Sequence, residues 1–390
     1  MTVKPVNAES VADDPRIRSG KPRRVRWPRS GRRPPPARRE VHLAVLAVGL
    51  CCFLLTRCCL AAEADRKDRK RSRDRTDRKG CRDCRDSEQQ PYSPEALRKT
   101  LDPFYKQHIV ADGLVVAGSE KVSLHALREA GYLARKMLAN RPDVMKYLCE
   151  KRRMFVAVMA YCELQTDLPD CRGMSLWWAY RARGLGSRPV SCAEENLLGF
   201  KGDPWQGENI FVHEFAHTIH SALMKLDEKF DAKLRAVYEK ARRSGRFRGY
   251  AIDGGHSEFW AEGVQAWFNC NGTIRPKSGG GQSSFEVVGP KGEHVCHLTR
   301  REQVRKHVPE FARLIDDSFR QNKWFYVPVA KRLDEPHLRG FDPADAPTFR
   351  WPPAVVKAFN RIEAENRAAK AKKAKEARDA KKARKAKEAE

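Results

Sequence analysis

The eight residues HEFAHTIH, 213–220, hold three histidines and one glutamate. On a helix, about 100° of turn and 1.5 Å of rise per residue bring positions i and i+4 to one side, a turn apart. His213 and His217 have that spacing, so both imidazoles can reach one zinc ion at about 2.0–2.1 Å. Glu214 lies about 100° round the axis, which is too far aside for a natural third ligand. It is near enough to take a proton from a water that the metal acidifies. The pattern H-E-x-x-H is therefore read as metal-assisted hydrolysis. The lead-in NIFV and the packing residues Phe215, Ala216 and Ile219 predict a helix over 207–226. The alternative is a helix that merely carries polar residues on its exposed side.

His220 is seven residues beyond His213, on the same side but about 10 Å further along the axis, beyond the reach of one ion. Metzincins solve this by breaking the helix at a glycine three residues after the second histidine. This chain has His220 at that position and Leu223 where the third histidine would stand, so the metzincin pattern fails. His220 is then either a group beside the ligands or the substrate, or an ordinary helix-surface histidine. A third ligand has to come from elsewhere. The stretch SEFWAEGVQAWF offers Glu258 and Glu262, again at i and i+4, among Phe259, Trp260, Val264 and Trp267. Carboxylates on a face that buries apolar residues are costly unless something pairs with them. Zinc and a ligand histidine would do so, with Glu258 coordinating and Glu262 accepting the other N–H of a ligand imidazole. Exchanged roles, or two solvated charges, are the alternatives.

HEFAHTIH, followed after a helical spacer by GYAIDGGHSEFWAEGVQAWF, resembles the gluzincin clan of zinc metallopeptidases. Within the clan it is most similar to the catalytic domain of anthrax lethal factor-like zinc peptidases, which pair an HEF-x-H helix with a tyrosine and an EFFAE-type helix. The likeness covers roughly residues 150–270, more loosely 93–330, and not the termini. It implies a zincin-like fold, one zinc ion per chain, Glu258 as the ligand and Tyr250 as the phenol that donates to a developing oxyanion. His256 is the other candidate for that electrophilic role, and a plain loop tyrosine is the remaining reading. By the same likeness, GLGSRPVSCAEENLLGF (184–200) is expected to form an edge strand against which an extended substrate lies. Arg183 or Arg188 would orient the substrate there.

The elements that must position these groups lie in one helix-rich α+β domain over 91–362. Helices are predicted over 123–151, 207–226, 227–243, 255–269 and 309–319, and a buried strand over 153–161. Around the domain the texture changes. Residues 1–40 are Pro- and Arg-rich and read as a disordered basic region, 63–90 as a charged linker, and 363–390 as a low-complexity, solvated, partly helical basic tail. The formal charge is +27. Residues 1–90 hold 24 basic against 12 acidic side chains and 363–390 hold 11 against 6, so most of the excess sits outside the domain. That placement suits anionic envelope polymers. Nucleic-acid binding is disfavoured, because no basic–aromatic interleaving accompanies the charge.

The apolar run inside 41–62 has the length of a signal-peptide core and is short for a spanning helix. It predicts export (secreted, periplasmic or cell-surface), with a retained membrane anchor as the alternative. Eight of the twelve cysteines lie outside that segment: Cys81, Cys84, Cys149, Cys162, Cys171, Cys192, Cys270 and Cys296. An even number in an oxidising compartment allows up to four disulfides, and Cys270 with Cys296 would close a Gly-rich loop. The leading expectation is an exported zinc-dependent peptidase, an endopeptidase acting on peptide or protein substrates. The alternative is a non-catalytic zincin-like binding protein held to anionic polymers at the cell surface.

Overall fold

The computed structural model describes residues 92–272 and 285–387. The N-terminal basic region, the apolar segment 41–62, the linker 63–90, Cys81, Cys84 and the Gly279–281 run fall outside these residues. No helix among the described residues is long and apolar enough to cross a membrane.

The chain opens with helix α1 (Pro94–Lys99) and a hairpin of β1 (Gln107–Ala111) and β2 (Leu114–Gly118). Asp112 and Gly113 turn the hairpin with φ of 49° and 88°, the two positive values that a two-residue turn between twisted strands requires. Helix α2 (Leu124–Met137) crosses over, and α3 (Pro142–Lys146) continues into a π turn, Tyr147–Lys151, before β3 (Phe155–Met159). The single helix expected over 123–151 is thus divided. Pro142 pushes Arg141 out of helical backbone, to φ −130° and ψ 57°. Next come α4 (Leu176–Arg181), β4 (Leu185–Gly186), β5 (Val190–Ala193) and α5 (Glu194–Leu198). The strands form one sheet in the order β1-β2-β3-β5-β4, parallel at β2–β3 and β3–β5 and antiparallel at both ends.

β2 and β3 are buried along their whole length, which is why they read as continuous apolar runs. Alternate residues serve two cores. Val116, Val156, Val158 and Cys192 join the large one, while Val115, Ala117, Phe155, Ala157 and Met159 join a smaller one. Helix α6 (Ile210–Leu226) packs on the large-core side and is followed by α7 (Phe230–Arg243). A second, antiparallel sheet of β6 (Phe247–Arg248), β7 (Glu286–Val288) and β8 (His294–His297) surrounds α8 (Tyr250–Asp253) and α9 (His256–Trp267) in sequence. Helices α10 (Arg301–His307) and α11 (Pro309–Ser318) follow, and α12 (Pro353–Lys387) closes the described chain. α12 begins against the domain, with Val355 and Phe359 packed beside Tyr180 and Trp177. Its residues 364–379 are exposed.

The mixed helix and small-sheet composition agrees with the α+β expectation. Among the described residues the disulfide expectation does not hold: all six described cysteines are free thiols. Cys270 is buried, with its sulfur 3.5 Å from the Gln265 carbonyl, while Cys296 Sγ lies 3.6 Å from His307 Nε2. The two sulfurs that were to close the loop address different neighbours.

Two predictions come from this packing. An alanine at an exposed helical glycine gains about 1 kcal/mol. At Gly263 the added Cβ would lie 2.1 Å from Phe311 Cε1 and 2.3 Å from Cζ. The clash outweighs the propensity, so Gly263→Ala is expected to lose about 1–3 kcal/mol, read from the denaturant midpoint. The second concerns Glu194, which accepts the Ser123 and Tyr161 amides at 2.8 Å. Burial raises its carboxyl to about 7. The folded chain then binds a proton that the unfolded chain has released, so stability falls as pH rises from about 4.5 to 7. That portion of the pH slope should be missing from Glu194→Gln, whatever its absolute stability.

Candidate metal centre

Asn209 starts α6 by accepting the Val212 amide on its side chain at 3.0 Å. From there His213, Glu214 and His217 fall on the helix as their spacing predicts. α9 crosses against α6, held by Trp260 Nε1 donating to the Ala216 carbonyl at 2.9 Å. This contact brings Glu258 to the two histidines. Glu258 Oε2 is 3.2 Å from His213 Nε2 and 3.4 Å from His217 Nε2, and the two nitrogens are 3.3 Å apart. Four ligands about 2.0–2.1 Å from a tetrahedral zinc ion are separated by about 3.3–3.4 Å. The triangle matches one face of that tetrahedron.

Hydrogen bonding shows what the three atoms offer. Gln265 Nε2 donates to the Asn209 carbonyl at 3.0 Å, so Gln265 Oε1 faces His213 Nδ1 at 2.9 Å. Oε1 accepts, hence Nδ1 carries the hydrogen and Nε2 presents a lone pair. His217 Nδ1 meets Ser257 Oγ at 3.0 Å, leaving its Nε2 for the same point. Two imidazole lone pairs and a carboxylate oxygen converge, an arrangement that only a shared proton or a cation satisfies. The electrostatics agree. Burial opposes charge on His213, but the Glu258 hydrogen bond and the carboxylates of Glu214, Glu258 and Glu262 raise the imidazole well above its ordinary value. Glu258 is half-buried, and desolvation opposes its charge, yet His217 and His213 hold it well below the usual carboxylate range. The donor set fits zinc.

Glu214 is shifted the other way. Burial raises its carboxyl, His213 and His217 lower it, Glu258 raises it again, and the Gly186 N–H donates to it. That amide belongs to β4, the outermost strand of the sheet, which the residues GLG lay close against α6. A Cβ at Gly186 would stand 2.6 Å from His217 Cβ, and one at Gly184 would stand 2.6 Å from Ile210 Cγ2 and 3.0 Å from Glu214 Cγ. Only glycine permits this approach.

Several expected roles are reassigned. Gln265 and Ser257 occupy the outer nitrogens of the ligand imidazoles, where Glu262 was expected. The Glu262 carboxylate instead accepts Asn271 Nδ2 at 2.9 Å. His220 is not a surface histidine. It is buried, with Nε2 3.2 Å from Asp231 Oδ1, and burial lowers it to about 4. His256 turns to the same Asp231 oxygen, 3.3 Å away. Tyr250 is half-buried at the first position of α8, and its carbonyl accepts the Gly254 amide at 2.8 Å. Arg183 does not face a substrate: it is buried against Glu195 at 2.5 Å and donates to the Glu163 and Ala160 carbonyls. Arg188 donates to the Arg153 carbonyl at 3.4 Å. Asp231, Gln265 and Ser257 were missed, because a single polar residue on a helix carries no periodic signal.

Comparison with known protein families, with characterised proteins and with solved structures returns no match. The geometry of the site stands on its own.

Gln265→Leu keeps the side-chain volume but removes the acceptor at His213 Nδ1. Zinc affinity is expected to fall about 10–100-fold, measured by competition with a chelating indicator.

Proposed function

We propose that this chain is a zinc-dependent peptidase. The observation that carries the proposal is the triangle of His213, His217 and Glu258 with Glu214 alongside it and the edge strand β4 behind. A zinc ion held by these three residues would supply Lewis acidity to a water and to the substrate carbonyl. Glu214, raised by its burial, would take a proton from the water as its oxygen bonds to the carbonyl carbon, and would give that proton to the amine nitrogen as the C–N bond breaks. Gln265 and Ser257 keep the two imidazoles in the tautomer that coordinates. β4 is the sheet's edge, and an extended peptide adding to it lies beside Glu214. In this reading the fold is zincin-like, and Tyr250 is the candidate for a hydroxyl that donates to the oxyanion. Export through residues 41–62 belongs to the same proposal.

The test uses the full chain with a fluorogenic peptide library and an unfolded protein as substrates. Activity should vanish with a chelator and return with zinc. Glu214→Gln should keep its metal and lose about 10²–10⁴-fold in turnover. Equal turnover by the metal-loaded variant and the parent sinks the mechanism. Tyr250→Phe should lower kcat with little change in KM.

A further inference from the structure

Among the described residues, one other group of side chains outside the site just described has the composition and spacing of a metal site. His220, Asp231 and His256 come from three helices, α6, α7 and α9, and offer ligand atoms that all lie within 4.8 Å of one another. Asp231 Oδ1 is 3.2 Å from His220 Nε2 and 3.3 Å from His256 Nε2. These separations are those of neighbouring ligands on a tetrahedral zinc ion, about 3.3–3.4 Å. They match two edges of the first triangle. We propose that His220, Asp231 and His256 bind a second divalent metal ion of the zinc type, which cross-links α6, α7 and α9.

The surroundings suit such an ion. His220 is walled by Phe230 and Trp260, with ring centroids at 5.6 and 6.2 Å, which fixes its ring and keeps its inner side dry. Arg235 Nε donates to Asp231 Oδ2 at 2.6 Å, so the guanidinium orients the carboxylate and leaves Oδ1 turned to the imidazoles. The side chains of Asp231 and His256 are 21% and 23% exposed, enough for an ion to enter and for water to complete its coordination. Arg235 also repels a cation, which makes this the weaker of the two sites. The two sites share no ligand. Along α6, His220 stands three residues, or about 4.5 Å of axis, beyond His217. The third histidine of HEFAHTIH then has an assignment: it belongs to a different ion.

The experiment is a zinc titration of the full-length, tag-free, metal-stripped chain, followed by equilibrium dialysis and by thermal unfolding. The parent should hold two ions per chain. His213→Ala/His217→Ala should hold one, and its unfolding midpoint should rise with zinc concentration as mass action requires. Adding Asp231→Asn should remove both the ion and the midpoint rise. His256→Gln in the same background gives the same reading should Asp231→Asn fail to fold in chelator. The proposal is overturned if the double variant binds no zinc, or if it keeps its ion after either further substitution. Because the readout uses chains without His213 and His217, it is independent of whether the chain hydrolyses peptides.

Discussion

Two helices separated by some thirty residues have to meet at a fixed height and rotation before any of the donor atoms can converge. α6 and α9 do so through few interactions. Trp260 Nε1 on the Ala216 carbonyl sets the height. Gln265, spanning the Asn209 carbonyl and His213 Nδ1, sets the rotation and ties the start of α6 to the last turn of α9. Behind α9, Gly263 leaves room for Phe311, whose ring stacks on Phe259 at 4.1 Å. The candidate metal centre depends on this one contact, since each helix alone carries an incomplete set of the three donors.

Within that contact, two glutamates that feel each other's charge are driven in opposite directions. Glu258 is kept ionised by the imidazoles it touches, and Glu214 is raised by burial behind β4. Environments that split two carboxylates in this way assign them different work. The ionised one suits a ligand, and the raised one suits a group that must both gain and lose a proton. Gly184 and Gly186 take part in the division, because side chains there would hold the strand away and open Glu214 to water.

Much of this was legible in the residues. The i, i+4 spacing located His213 and His217, and the cost of burying charge singled out the helix that carries Glu258. The four helices predicted after residue 207 matched their spans to within a few positions, while the short α8 and α10 were not foreseen. What escaped was everything that depends on a neighbour distant in sequence. Gln265 and Ser257 are neutral groups with no pattern of their own, and Glu262 looked a better partner for an imidazole than an amide did. Asp231 sits in the first turn of α7, where acids are ordinary. Gly184 and Gly186 were legible only as part of an expected edge strand, whereas their close approach to α6 depends on a helix they do not touch in sequence. Cysteine counts carry no positions, so a pairing of Cys270 with Cys296 could be drawn from sequence yet not be met in space.

The free thiols have a consequence for the metal itself. Sulfur is the preferred donor for zinc among protein side chains only once it has lost its proton. Burial pushes Cys149 up to about 11, raises Cys192 and Cys270 well above their ordinary value, and raises Cys162, Cys171 and Cys296 as well. At neutral pH burial keeps these described thiols in the protonated form, which binds zinc less readily than the thiolate does. On the reading proposed above, the imidazole and carboxylate donors of the described helices are the readier ones for a zinc ion, because they need no such costly deprotonation.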